Sequence, residues 1–239
     1  FQVSKKVLRT LSLNNNQMKL GLITYNHNHL KTEQLVRRYI EDIRIKEIKL
    51  FALPFVQRKA RKVVFEHRPN QLLATHTKNL SQLEKVSFQL WDGKESLDKE
   101  CDFFVIGGAG ILDVSFAKGK PIINAHPGII PISRGLDSFK WAILNNDPIG
   151  NTLHLIDSEV DKGEVICIKE TPIFPDDSIQ ILARRHYEME LDMLSSALNF
   201  LGKKVELTAE EKPATKRMNS EDEKLMLDKF EKWKTQMNS

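Results

Sequence analysis

The stretch MKLGLITYNHNHLKTEQLVRRYIEDIRIKEIKLFAL, residues 18–53, decides the fold. It opens on the apolar run MKLGLIT (18–24), which reads as a buried strand closed by the turn-like YNHNH (25–29). Leu35, Val36, Tyr39, Ile40 and Ile43 then recur at helical spacing, and IKLFAL (48–53) returns to strand composition. A strand, a helix and a strand in so short a span make a βαβ unit, whose right-handed crossover favours a parallel sheet.

The pattern continues through VSFQL (86–90), DFFVIG (102–107), PIIN (121–124), NTLHLI (151–156) and VICIKE (165–170), with a helix expected over 137–146. These are continuous apolar runs rather than strict alternations, as strands covered on both faces require. The fold class is therefore α/β, a mainly parallel sheet covered by helices on both faces. A long helix is expected after FPDD (174–177), capped by Asp176 or Asp177, with Ile179, Leu182, His186, Met189, Met193, Ala197 and Leu201 on one face and Gly202 ending it.

Three segments follow from this reading: an N-terminal extension over 1–17, a main domain over 18–202 and a helical C-terminal extension over 203–239. In the last, Ser220 and Glu223 make a capping-box pattern, and Met226, Phe230, Trp233 and Met237 share a helical face. That helix is expected to dock, either on its own core or on a second subunit, which leaves a homodimer open.

At 239 residues the chain can bury one substantial core. Its 41% hydrophobic and 28% charged residues are those of an ordinary soluble protein, and no run has the length to span a bilayer. The formal net charge of +4 is too small to argue for nucleic acid, since Lys5, Lys6 and Arg9 of the first segment supply most of it. Cys101 and Cys167 have no second Cys or His at metal-ligand spacing, so no metal is expected and a reduced, cytoplasmic setting fits. Residues 1–17 lack the long apolar run and small-residue cleavage site of a signal peptide.

The chemistry-bearing stretch is IINAHPGIIP (122–131). In an open parallel sheet ligands bind beyond the carboxyl ends of the strands, where Asn124 and His126 fall. Pro127 biases His126 towards extended backbone, and Gly128 permits the turn that follows. HisProGly alone also serves as a plain tight turn. Likewise Asp161, beside Gly163 in IDSEVDKGEVI (156–166), read alone is a solvated acid in a hairpin loop.

Together, INAHPGIIPISRG (123–135), NTLHLIDSEVDKGEVI (151–166) and VIGGAGIL (105–112) resemble the 10-formyltetrahydrofolate-dependent formyltransferases. That family includes the purine-pathway glycinamide ribonucleotide enzyme, methionyl-tRNA formyltransferase and the sugar-nucleotide N-formyltransferases. The resemblance is strong over roughly residues 100–200 and implies a Rossmann-like fold. It makes Asn124, His126 and Asp161 the catalytic set. Asn124 and His126 can donate to the oxyanion that forms when an amine attacks the formyl carbon, and His126 or a water held by Asp161 can take the amine's proton. Base and oxyanion donor both remain open for His126.

The resemblance further assigns GGAGIL (107–112) and IDSEV (156–160) to the pterin of the folate co-substrate: Gly108, Ala109, Gly110, Ile111, Leu112, Ile156, Asp157 and Val160. Gly110 stands where many relatives carry an Arg. His154 matches a family His but, lying within a strand, is expected to be a core residue.

For the acceptor, the purine enzyme's glycine-rich phosphate loop should follow the first strand, and YNHNH has no glycine. Methionyl-tRNA formyltransferase carries a barrel domain that 37 C-terminal residues cannot build. The expectation within the family is thus a sugar-nucleotide N-formyltransferase, acting on a dTDP- or UDP-linked amino sugar, such as a 4-amino-4,6-dideoxyhexose, for bacterial surface polysaccharide. Its partners are then the sugar nucleotide and the folate, not nucleic acid or membrane. Candidate acceptor contacts are Asn26 and His27 beyond the first strand, and His67 and Arg68 at the end of the basic run from Arg58 to Arg68, most of which reads as a solvated helix face. His27 and His29 alternate as metal ligands do, but lack a third partner. The alternatives are a glycinamide ribonucleotide formyltransferase, a formyltetrahydrofolate hydrolase and a non-enzymatic folate or nucleotide sensor.

Overall fold

Among the described residues, seven strands form one sheet: β1 (Met18–Tyr25), β2 (Ile45–Leu53), β3 (Val86–Leu90), β4 (Phe103–Ile106), β5 (Ile122–His126), β6 (Gly150–Leu155) and β7 (Val165–Glu170). This computed structural model describes residues 17–55, 62–157 and 163–238. The strand order is β3-β2-β1-β4-β5-β6-β7, parallel from β3 to β5 and antiparallel for the β5–β6 and β6–β7 pairs. The described helices are α1 (Leu30–Ile40), α2 (Ser138–Asn145), α3 (Ile179–Ser195) and α4 (Ser220–Met237).

The expected βαβ unit is β1-α1-β2, with β1 and β2 as adjacent parallel neighbours. Leu35, Val36 and Tyr39 of α1 and Tyr187, Leu191 and Leu194 of α3 pack on one sheet face, against Leu20, Leu22, Leu50, Val105 and Ile123. On the other face Ile23, Phe51, Phe104 and Ile106 meet Trp91, Leu97 and a 3-10 turn over Val114–Ala117. A third cluster joins α2, the start of α3 and α4, and includes Phe139, Ile143, Leu182, Met226, Phe230 and Trp233.

Several local expectations are corrected. Ile43 lies beyond α1 and is 82% exposed, because the chain turns at Asp42, whose carboxylate binds the Arg44 backbone and guanidinium. Ser178 caps α3 by accepting from Ile181 N at 3.3 Å, while Asp177 is taken up by Phe174 N and Arg185. Asn219, rather than Ser220, caps α4, accepting from the Glu221 and Asp222 amides at 2.9 Å each. Glu223 is consequently not a capping-box partner. It turns inward, fully buried, against Lys140.

Helix α4 docks on its own chain. Met226, Phe230 and Trp233 are buried, each contributing roughly 1.5–3 kcal/mol of apolar burial. Trp233 also donates its indole N–H to the Asp147 carbonyl at 3.0 Å.

Candidate active site

Strand alternation places Asn124 and His126 on one face of β5, since Ile123 and Ala125 between them feed the core under α1 and α3. In the antiparallel register Asn124 lies opposite His154 and His126 opposite Thr152. The Asn124 amide donates to His154 Nε2 at 3.1 Å, which puts the His154 ring proton on Nδ1. His154 is 1% exposed, the core residue expected, and its task is to orient the Asn124 amide.

His126, also buried, donates from Nε2 to the Ser133 carbonyl at 2.8 Å, with Ser138 Oγ 3.2 Å from the same nitrogen. In the neutral ring the lone pair then belongs to Nδ1. The intervening loop is tied to β6: Thr152 Oγ1 donates to the Gly128 carbonyl at 2.7 Å and accepts from Ile130 N at 3.0 Å. A Cβ on Gly128 would stand 2.4 Å from the Ser133 carbonyl and 2.7 Å from His126 Nε2. Only glycine leaves room for this closure, which also contains a cis Ile130–Pro131 bond.

Asp161 and Val160 lie outside the described residues, as do Arg58, Lys59 and Arg61. The loop that carries Asp161 joins β6 to β7 as expected, and its mouth is narrow. Leu155 N donates to the Glu164 carbonyl at 2.9 Å, and a Cβ on Gly163 would fall 1.6 Å from the Leu155 carbonyl oxygen.

At the end of β4 the amides of Gly107 and Gly108 both donate to the Ile23 carbonyl, at 2.9 and 3.1 Å. Gly108 is pressed against His29 and Tyr25, where a Cβ would meet them at 2.7 and 2.9 Å. Nothing lies near the Cβ position of Gly110, and Ile111 is 90% exposed, while Ala109, Leu112 and Ile156 pack on the second core. The glycines at 107 and 108 thus serve close packing against β1 and its loop, and the open surface begins at Gly110.

The loop after β1 is held by residues 74–77. Asn28 Nδ2 donates to the Ala74 carbonyl at 2.8 Å and Thr77 Oγ1 to the Tyr25 carbonyl at 2.7 Å. Asn26 donates its backbone amide to Leu53, and the His27 ring lies 4.5 Å from Phe55. His29 bonds Thr32 Oγ1 at 2.8 Å; burial, and then the charges of Lys31 and Arg68, push it down to about 4.

The composition pattern missed a buried charge network. Glu190 of α3, 1% exposed, accepts from Lys31 Nζ at 2.6 Å and from the Arg68 guanidinium. Burial opposes its ionisation, but Arg68 and Lys31 prevail and hold it below the usual carboxylate range. One turn earlier, His186 is bound by Thr171 Oγ1 at 2.7 Å and held at about 4, chiefly by burial. Its ring also meets the backbone of Pro127 and the charge of His126, so α3 reaches the HisProGly turn.

Arg68 is therefore engaged with Glu190 and lies over the Tyr187 ring, 5.5 Å from its centroid, while His67 stacks on Phe139 at 5.9 Å. Both line a cavity of about 400 Å³ with Leu30, Gln34, Tyr187 and Arg184. Helical spacing from His186 would have pointed to Glu190, but Lys31 carries no pattern of its own. Among the described residues no group of three or more His, Cys, Asp or Glu could hold a metal, and no helix is long and apolar enough to cross a membrane.

Residues 111–198, less than half of the chain, match the family described as Formyl transferase. A phosphoribosylglycinamide formyltransferase of Haemophilus influenzae is 35% identical over 118 residues, 47% of this chain and 54% of that protein. A methionyl-tRNA formyltransferase of Sulfurimonas denitrificans is 32% identical over 105 residues, 43% of this chain and 35% of that protein. The chain thus spans about a third to a half of the length of these curated relatives. Among solved structures, a sugar N-formyltransferase from Shewanella sp. FDAARGOS_354 shares the fold, with TM-score 0.58 and 16% identity over 89% of this chain and 87% of that one. Asn124, His126 and the β6–β7 loop all fall within the matched stretch, and residues 111–198 thus carry the mark of the formyl transferase family on a formyltransferase fold.

Proposed function

We propose that this protein is an N-formyltransferase that moves the formyl group of 10-formyltetrahydrofolate to the amine of a nucleoside-diphosphate amino sugar. The observation that carries the reaction class is the fixed pair at the end of β5: Asn124 oriented by His154, and His126 locked through Nε2 onto the Ser133 carbonyl. The neutral amine attacks the formyl carbon, and the oxyanion that develops is stabilised by the Asn124 amide. As the tetrahedral species collapses, the bond to N10 of the folate breaks, N10 takes up a proton and leaves as tetrahydrofolate, and the new amide remains. The proton lost by the attacking nitrogen passes to the basic Nδ1 of His126 or to a water held by Asp161.

The exposed stretch from Gly110 to Ile111, with Leu112, Ile156 and Asp157, is the proposed face for the pterin, and Val160 is assigned to it by the resemblance alone. Backbone groups at an open glycine suit a flat ring. His67 and Arg68, beside the cavity between α1 and α3, with Asn26 and His27, are proposed on the acceptor side. The acceptor reading rests on the β1 loop, where Tyr25–His29 offers no glycine nest for a ribose phosphate. A dTDP- or UDP-linked 4-amino-4,6-dideoxyhexose destined for surface polysaccharide is the acceptor class proposed. The unit 18–202 would carry the chemistry, with 203–239 as an extension.

The sequence match to phosphoribosylglycinamide formyltransferase makes glycinamide ribonucleotide the second acceptor to test. Incubation with 10-formyltetrahydrofolate and a panel of amino-sugar nucleotides and glycinamide ribonucleotide, read by mass spectrometry, decides between them. A gain of one formyl group on a sugar nucleotide supports the proposal. A gain on glycinamide ribonucleotide alone overturns the sugar assignment and keeps the reaction class.

A further inference from the structure

We infer that the C-terminal segment is part of the acceptor site's framework, and that Glu223 is its positioning residue. The Glu223 carboxylate, 0% exposed, accepts from Lys140 Nζ of α2 at 2.6 Å through one oxygen. Through the other it accepts from the backbone amides of Val64 at 2.5 Å and Phe65 at 3.4 Å. Burial opposes its charge, but Lys140 and the two amides prevail and keep it ionised below the usual carboxylate range.

One side chain from α4 therefore fixes the start of the strap that delivers His67 and Arg68. Phe65 sits in the same apolar cluster as Phe139, Met226 and Trp233, and the strap continues through the His67 stack on Phe139 to the Arg68 pair with Glu190. The strap has no regular secondary structure over 62–69, so these side-chain contacts, rather than a helix or a strand ladder, set its position.

The chain leading into α4 braces the catalytic loop as well. Thr215 pairs with the 134–136 backbone, accepting from Leu136 N and donating to the Arg134 carbonyl at 2.9 Å each. Met218 N donates to Asp137 Oδ2 at 3.0 Å. These residues flank Ser133 and Ser138, which bracket His126 Nε2. A Cβ on Gly135 would lie 2.3 Å from the Thr215 carbonyl, so the two segments meet without a gap.

This inference rests on the proposed function for its kinetic readout alone. In Glu223→Gln, amide hydrogen exchange at Val64 and Phe65 should quicken by about tenfold or more, as expected for losing a hydrogen bond to a charge. KM for the acceptor should rise while KM for 10-formyltetrahydrofolate stays as in the parent. Since the variant leaves Lys140 buried without its partner, a second variant, Lys140→Met with Glu223→Met, removes both charges. It should regain thermal stability yet keep fast exchange at Val64 and Phe65 and the raised acceptor KM. Unchanged exchange in Glu223→Gln overturns the inference, as does a double variant that restores stability and acceptor KM together, or a matching rise in both KM values. Should the parent formylate no acceptor, the functional reading fails by itself, and the exchange measurement still decides whether Glu223 holds the strap.

Discussion

Asn124 and His154 face each other across the β5–β6 pair, the amide Nδ2 3.1 Å from the ring Nε2. One N–H of the amide is spent on orientation, and in the proposed reaction the second serves the developing oxyanion. Asn124→Ala should lower kcat by about 10²–10³, the usual loss for one such donor, with KM for either substrate little changed. His154→Phe should give a smaller fall, because the amide stays but loses its guide. Steady-state kinetics on both variants tests the order; equal losses would mean that His154 does more than orient.

The closure around Gly128 yields a sharper test of His126. Gly128→Ala forces a Cβ to within 2.4 Å of the Ser133 carbonyl and 2.7 Å of His126 Nε2, so the ring must leave its acceptor. Activity should fall by about 10²-fold or more, in the range of a lost general acid–base. Ala at Gly110, where nothing lies within 4 Å, should be tolerated in the fold. Circular dichroism and kinetics on the pair would show whether the effect is local.

The buried histidines set a pH dependence of stability. His186 is pushed from 6.5 to about 4 chiefly by burial, with Glu190 opposing and the charges of Arg68 and His126 adding to the fall. Between those values the unfolded chain takes up a proton that the folded protein refuses, so stability falls as the solution is acidified from pH 6.5 towards 4. The full difference is about 3 kcal/mol for this one residue. His29, also near 4, acts in the same direction. Urea unfolding at a series of pH values should show a shallower slope for His186→Gln; a slope equal to the parent's would contradict the assignment.

Glu190 is the hinge of the network between α1, α3 and the strap. Glu190→Ala leaves Lys31, itself 8% exposed at the side chain, without its carboxylate. The expected cost is about 3–5 kcal/mol, the usual penalty for an unpaired buried charge. Lys31→Met should cost less, since Arg68 still serves Glu190. Chemical denaturation of the two variants gives the comparison, and a costlier Lys31→Met would show that Lys31, not Glu190, holds the network.

Much of this was legible in the sequence. The apolar runs and helical spacings of residues 18–53 are local signals, and β1, α1 and β2 lie where they point. Asn124 and His126 stand out because HisProGly closes an apolar run and the stretch around it resembles the formyltransferases, and both lie at the end of β5. Residues whose partners are remote in sequence were not legible. Glu190 meets Lys31 across 159 positions, and Glu223 meets Val64 across 159 and Lys140 across 83. Glu223 was misread as a capping residue because Ser220 and Glu223 carry the local pattern, whereas Asn219 supplies the cap and the buried lysine claims the carboxylate. Local pattern cannot register a charge two helices away.

The most direct measurement is formyl transfer from 10-formyltetrahydrofolate to a panel of dTDP- and UDP-amino sugars, read by mass spectrometry, with Asn124→Ala alongside. The proposed reaction gives a mass gain of one formyl group on a sugar nucleotide, lost or reduced by about 10²-fold or more in the variant. Transfer that survives unchanged in Asn124→Ala, or no transfer to any amine, would contradict it.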